Sequence, residues 1–169
     1  IENNKVEMEY IVSNVHECLE NCVIMSQQQA ESKNQTLSLT EQIMYPYVYM
    51  DAPHLSEICF NIISNAIKYT NEGGLITITM KKNSKDIEVS IEDTGIGMSK
   101  EVVSHIFERF YREDKARNVE GNGLGLAIVK SIVDLHHGKI DILSQVDVGT
   151  NFIVRLPIEK QKLIERLKR

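Results

Sequence analysis

Residues 121–126 read GNGLGL and open onto AIVKSIVDLHHG, three alternating glycines at the mouth of a strongly apolar stretch with helical spacing. The start of a helix leaves backbone N–H groups unpaired and partially positive, so glycines that let a ligand approach that backbone make a seat for phosphate. Upstream stand NIISNAIKYT at 61–70, DTGIGM at 93–98 and IFERFYR at 106–112. In and just before the first of these blocks, Glu57, Asn61, Asn65 and Lys68 recur at steps of four, four and three. They form one polar stripe flanked by Ile58, Phe60, Ile62, Ile63, Ala66 and Ile67. Two neutral amide oxygens and a lysine suit a hydrated magnesium ion and phosphate oxygens, because Mg²⁺ keeps most of its water and takes few protein ligands. A plain solvated helix face is the alternative.

Asp93 closes a run in which Ile87, Val89 and Ile91 share its parity, so its carboxylate is expected to face the apolar layer. A buried carboxylate needs a donor, and no lysine or arginine is near it in sequence; a ligand amine would serve, with Gly95 and Gly97 admitting a flat ring. A turn in which Asp93 caps its own backbone is the alternative. Thr150 shares parity with Phe152, Val154 and Leu156 and is likewise aimed inward. Arg109 and Arg112 stand at the entrance of a charged, glycine-containing loop over 112–123, where guanidinium groups could close over a terminal phosphate. A salt bridge to Glu108 or Glu113 competes for Arg109.

The elements that must position these groups follow from periodicity. Apolar steps of three and four predict a first helix over 5–32, with 1–4 as linker. Strands are expected at 36–40 and 47–50, and Asp51 with Pro53 opens a second helix running to about residue 70. Period-two alternation predicts neighbouring strands at 75–81 and 86–92, whose short connection suits a hairpin. A short helix over 99–106, a mobile loop, the glycine-led helix to residue 137 stopped by Gly138, and strands at 139–144 and 150–156 complete the order. A charged amphipathic tail covers 158–169. His136 and His137 are expected to favour the helix dipole, and His16 to be structural.

At 169 residues with 42% hydrophobic content, one domain of two packed layers with a real core is the expectation. A net charge of -5 gives no basic footprint for nucleic acid. Cys18, Cys22 and Cys59 leave an odd thiol over and lack paired metal-ligand spacing, which suits reduced thiols in a cytosolic setting; Cys18 and Cys22, one helical turn apart, are expected to be inert. No apolar run approaches the ~20 residues of a membrane span, and IENNK is no leader, so the piece is expected to be soluble and unprocessed.

Taken together and in this order, the blocks resemble the catalytic and ATP-binding domain of sensor histidine kinases, in the superfamily that also holds gyrase, the mismatch-repair MutL proteins and a heat-shock chaperone. NIISNAIKYT looks like the N box, DTGIGM the G1 box, IFERFYR the F box, GNGLGLAIVK the G2 box, and Gly149 with Thr150 the G3 region. The resemblance implies an α+β two-layer sandwich, the Bergerat ATP-binding fold. Its mixed, mostly antiparallel sheet of about five strands would lie under three helices with a mobile ATP lid, the domain covering 5–157.

It further implies ATP and Mg²⁺ as cofactors. Asn65, assisted by Asn61, would hold magnesium; Lys68 and Arg112 would meet phosphates; Tyr69 would lie against adenine. Asp93 would accept from the adenine amino group with Thr150 in support, and Gly95, Gly97 and Arg109 would border the nucleotide. Gly121, Gly123, Leu124, Gly125 and Leu126 would shape the phosphate loop. Glu120 and Asp147 replace glycines usual in G2 and G3. Asn61 stands where the superfamily's hydrolases carry a water-activating glutamate, so hydrolysis is expected to be slow and phosphoryl transfer favoured. The phosphoaccepting histidine block is absent from the sequence. The implied partners are therefore a histidine-bearing dimerisation domain and a response-regulator receiver, with no nucleic acid. The chain itself would be a monomeric cytoplasmic domain, and its parent membrane-anchored. A clamp-type ATPase, a nucleotide sensor without transfer activity and a serine kinase are the rivals.

Overall fold

The computed structural model describes residues 10–40, 43–111 and 125–159, together with 162, 164, 165 and 168. Arg112, Gly121, Gly123, Leu124 and the expected mobile loop lie outside the described residues, as do residues 1–9. In chain order the elements are β1 (Tyr10–Asn14), α1 (Val15–Ser32), β2 (Thr36–Thr40), β3 (Tyr47–Asp51), α2 (Ala52–Tyr69), β4 (Leu75–Lys82), β5 (Asp86–Asp93), α3 (Lys100–His105), α4 (Gly125–Leu135), β6 (Lys139–Gln145) and β7 (Gly149–Pro157). Five strands form one sheet in the order β2-β4-β5-β7-β6, in which β2 and β4 are parallel and every other pair antiparallel. The α+β class and the mixed, mostly antiparallel sheet expected from the sequence are thus what the chain builds.

One sheet face is apolar. Ile76, Ile78, Met80, Ile87, Val89, Ile91, Phe152, Val154 and Leu156 alternate inward and meet α1, α2 and α4 in one core. The opposite face carries polar pairs across strands, such as Ser90 with Asn151 at 2.7 Å and Arg155 with Glu88 at 3.3 Å. A single buried face requires a single covering layer, hence the two-layer sandwich. Burying each large aliphatic side chain contributes about 1.5–3 kcal/mol. Helix α2 is central in that layer, packed against α1 on one side and α4 on the other.

The expected first helix over 5–32 is corrected: Tyr10–Asn14 is a strand, paired antiparallel with β3 in a separate two-stranded sheet. Apolar spacing runs unbroken across the junction, so periodicity alone conceals it. The local signal is Asn14 followed at the third helical position by Glu17, a capping pair, and the Asn14 side chain accepts from the Glu17 N–H at 3.0 Å. The C-terminus of α4 is corrected too. The helix stops at Leu135, and it is His137, with φ 59°, rather than Gly138 that takes the left-handed turn. Nor does His136 serve the dipole as a cation. It is buried, its Nε2 lies 3.2 Å from Nδ1 of His54, and burial, followed by the neighbouring His54, lowers its pKa. It therefore tethers α4 to α2 as a neutral ring.

The C-terminus of α2 is closed from outside the helix. Lys33 Nζ donates to the carbonyls of Ile67, Lys68 and Thr70 at 2.7, 3.2 and 2.8 Å, and Gln35 Nε2 to those of Ile67 and Thr70 at 3.0 and 2.7 Å. An ammonium there satisfies orphan carbonyls and opposes the negative end of the dipole. Lys33→Met keeps the stem and removes the donors. It is expected to lower unfolding free energy by about 1.5–3 kcal/mol, the range for hydrogen bonds to a charged group; urea denaturation measures this, and a loss below about 0.5 kcal/mol would show that water replaces the ammonium.

Candidate nucleotide site at the end of helix α2

Helix α2 starts because Asp51 accepts from the His54 N–H at 3.2 Å and Pro53 occupies the first turn, where a missing N–H costs nothing. Its buried face is Leu55, Ile58, Cys59, Ile62, Ile63, Ala66 and Ile67. Asn61, Asn65 and Lys68 fall beside that face and are half-buried, whereas Glu57 is exposed. The stripe read from the sequence is thus one continuous line along α2. Asn61 Nδ2 donates to the Glu57 carbonyl at 2.9 Å, which leaves its Oδ1 as the available acceptor. That oxygen faces the first residue of α4: a Cβ placed on Gly125 would come within 3.3 Å of it. Glycine there keeps the amide oxygen uncovered. The side chains of Asn65 and Lys68 have no hydrogen-bond or ion-pair partner among the described residues.

Asp93 lies at the end of β5, directly opposite Thr150 of β7 in the antiparallel register. Both side chains point inward, as their parity requires, and are 7% and 6% exposed. Asp93 Oδ1 accepts from the Gly95 N–H at 2.8 Å and the Thr150 N–H at 3.2 Å. The self-capping turn and the buried acceptor are therefore both present, divided between the two oxygens: Oδ2 has no partner among the described residues. No cation among the described residues pairs with the carboxylate. Burial raises its pKa, the two backbone N–H donors pull the other way, and the nearby Glu92 adds to the rise. The Thr150 hydroxyl pairs with Ser144 Oγ at 2.8 Å, and Ser144 also receives the Met98 N–H at 2.8 Å. Ser144, one strand further out on β6, gives no sequence signal for this role, since its parity matters only once β6 lies beside β7.

Gly95 and Gly97 fit the chain onto itself. A Cβ on Gly95 would stand 2.3 Å from the Tyr69 carbonyl oxygen, and one on Gly97, at φ 64°, only 1.9 Å from the Gln145 carbonyl oxygen. The contact at Gly95 lets Ile96 N–H donate to Tyr69 O at 3.0 Å, which locks the segment after β5 to the last residue of α2. Gly149, which leads into Thr150, would place a Cβ 1.9 Å from the Asp93 carbonyl oxygen. Asp147, standing where a glycine is usual, takes the left-handed backbone itself, at φ 61°, and donates its N–H to Ile96 O at 2.8 Å. A short polar residue tolerates that conformation.

Tyr69 is half-buried beside this junction, and Leu126 packs against the core from the first turn of α4. Arg109 is exposed just beyond α3 and makes no bond to α2 or β5. Its expected competitor Glu108 is occupied by His105 at 2.7 Å. The structure thus joins Asn61, Asn65, Lys68, Tyr69, Asp93, Gly95, Thr150 and Gly125 around the α2 C-terminal half, and leaves Arg109 apart.

Residues 50–160 match the family model described as Histidine kinase-, DNA gyrase B-, and HSP90-like ATPase. Sensor histidine kinase YclK of Bacillus subtilis is 39% identical over 78% of this chain, and sensor protein SrrB of Staphylococcus aureus 36% identical over 82%. The chain spans only 28% and 24% of the length of these two curated relatives. Among solved structures, the catalytic domain of histidine kinase ThkA superposes with a TM-score of 0.78 at 26% identity, covering 89% of this chain and 98% of that one. No helix among the described residues is long and apolar enough to cross a membrane.

Because the folded-state pKa of Asp93 is raised, its contribution to stability is fully present below the ordinary value of 3.8 and is lost as pH rises through the folded value. Asp93→Asn keeps an acceptor for Gly95 and Thr150 and cannot ionise. Its unfolding free energy relative to the parent is expected to be higher at pH 7.5 than near pH 4; denaturant titrations at both pH values check the sign, and a pH-independent or reversed difference would contradict it.

Proposed function

Since the chain belongs to the histidine kinase-, DNA gyrase B- and HSP90-like ATPase family, we propose that it is the ATP-binding catalytic domain of a sensor histidine kinase. It moves the γ-phosphate of Mg-ATP to a histidine on a separate helical dimerisation domain, from which the phosphoryl group passes to an aspartate of a response-regulator receiver. The domain works on the cytoplasmic side, and its parent is anchored in the membrane. The observation that carries this reading is Asp93, a buried carboxylate with one oxygen fixed by two backbone N–H groups and the other unpartnered among the described residues. Such an oxygen discriminates for a ligand that donates, and the exocyclic amine of adenine donates where a keto group cannot.

The triphosphate then runs toward the α2 stripe. Lys68, without an ion-pair partner among the described residues, supplies positive charge to phosphate oxygens, and the N-terminus of α4 at Gly125 supplies backbone N–H groups. By the family resemblance, Arg112, Gly121 and Gly123, which lie outside the described residues, would also serve the phosphates. The available carbonyl oxygen of Asn61 and the unpartnered amide of Asn65 fit a hard cation that retains most of its water, so these two residues would hold magnesium. When bound, the ion neutralises phosphate charge. A neutral imidazole already has a free lone pair, so the domain need only position the phosphoryl group and stabilise its charge. Asn61 cannot take a proton from water, which favours transfer to a side chain over hydrolysis.

Incubation with a cognate helical domain and labelled ATP is expected to give an acid-labile phosphohistidine; an acid-stable product, or none from a chain that binds ATP, would defeat the transfer reading. Asp93→Ala is expected to weaken ATP binding in calorimetry by about 1–3 kcal/mol, the cost of a lost buried hydrogen bond. Asn65→Ala is expected to unfold at the parent temperature yet lose magnesium-dependent transfer, with ATP affinity no longer raised by added magnesium.

A further inference from the structure

The three cysteines do not stay apart. Cys18 and Cys22 lie one turn apart on α1, and the packing of α1 on α2 sets both against Ser56: Cys18 Sγ is 3.5 Å from Ser56 Oγ, and Cys22 Sγ is 3.9 Å from Ser56 O. Cys59 follows Ser56 by three residues and so shares its face of α2. Cys22 and Cys59 belong to the one core that α1 and α2 share, and Cys18 packs against it. Cys22 and Cys59 are buried and Cys18 only half-buried, and none is in a disulfide. Among the described residues, no group of histidine, cysteine or acidic side chains could hold a metal ion. The expectation of inert Cys18 and Cys22 considers α1 alone, and the facing helix brings Cys59 to the same seam.

We propose that Cys18, Cys22 and Cys59 form a two-electron thiol redox site in which Cys18 is the point of attack for a peroxide and the oxidised state is a disulfide tying α1 to Cys59 of α2. Cys18 is the cysteine that solvent reaches. The neighbouring thiols also favour its thiolate against the opposing effect of burial, lowering its pKa. The Cys18 thiolate attacks one peroxide oxygen, the O–O bond breaks, and the departing hydroxide takes a proton and leaves as water. The resulting sulfenic acid is attacked at sulfur by a neighbouring thiol, whose proton leaves with the hydroxyl group as a second water. If Cys22 resolves first, Cys59 displaces it by exchange. In sum, two thiols lose two electrons and two protons, and hydrogen peroxide becomes two waters. Side chains one turn apart on a helix run parallel, whereas Cys59 lies on the facing helix one turn beyond Ser56, so the interhelical bond is the favoured end state.

Cys59 precedes Asn61 by two residues, so drawing α2 toward α1 at this point disturbs the polar stripe. This consequence rests on the nucleotide-site reading above: oxidation lowers affinity for Mg-ATP. The reduced chain is treated with hydrogen peroxide, its free thiols are blocked, and peptides are mapped without reduction, with Mg-ATP calorimetry before oxidation, after it, and after dithiothreitol. The expected result is a Cys59 disulfide to an α1 cysteine, with Mg-ATP affinity at least threefold lower and restored by dithiothreitol. Cys18→Ser is expected to slow crosslinking at least tenfold, Cys59→Ala, which leaves no buried hydroxyl unpaired, to abolish the interhelical bond, and Cys22→Ala with Cys59→Ala to leave Cys18 as a sulfenic acid that dimedone traps. Absence of a Cys59 disulfide, or crosslinking of Cys18→Ser at the parent rate, would overturn the redox site; unchanged affinity in the crosslinked protein would overturn its link to the nucleotide site. A reduced chain that fails to bind ATP would defeat the proposed function, while the disulfide peptides would still decide for or against the redox site.

Discussion

The arrangement depends on how one helix ends. The last four carbonyls of α2 each find a donor: Ala66 from the Thr70 N–H, Ile67 from Lys33 and Gln35, Lys68 from Lys33, and Tyr69 from the Ile96 N–H. The final bond couples two layers, because Ile96 belongs to the segment that leaves the sheet just after Asp93. The distance between the polar stripe on the helix and the buried carboxylate on the strand is therefore set by hydrogen bonds rather than left to a free loop. Gly95 is indispensable to that bond, since any side chain would occupy the space of the Tyr69 carbonyl.

Around this junction, charge is distributed unevenly in a way that suits a ligand with two chemically different ends. At the sheet, a carboxylate is buried with no cation beside it among the described residues, its ionised form disfavoured by desolvation and held by two backbone donors. Along the helix, the groups are neutral amides and one lysine, with a helix N-terminus facing them. The first region discriminates by hydrogen bonding and the second neutralises negative charge. A single small anion would leave the carboxylate unused.

The remainder of the fold is scaffold, and its polar groups are mostly consumed internally. His136 contacts His54 and so fixes the end of α4 to α2, while Ser144 joins Thr150 to the loop carrying Met98. Between α1 and α2 lie three thiols, none in a disulfide, two of them against Ser56. Cys59, which is buried, lies two residues before Asn61 on the helix that carries the polar stripe.

Whatever depends on a residue's neighbours within one or two turns is legible in the sequence. The inward aim of Asp93 and Thr150 and the stripe of Asn61, Asn65 and Lys68 follow from periods of two or about four, and the start of α2 from Asp51 and Pro53. The ordered motifs add the family. Tyr10–Asn14 reads as helix because its strand exists only through β3, and helical spacing persists across the boundary. Lys33 on the carbonyls of α2, Ser144 beside Thr150, His54 against His136 and the three thiols are decided by tertiary structure. Even where the chain separation is short, as between Ser144 and Thr150, the contact exists only because two antiparallel strands fix the register. Local periodicity specifies which face of an element a side chain occupies, and only the packing of layers specifies what that face meets.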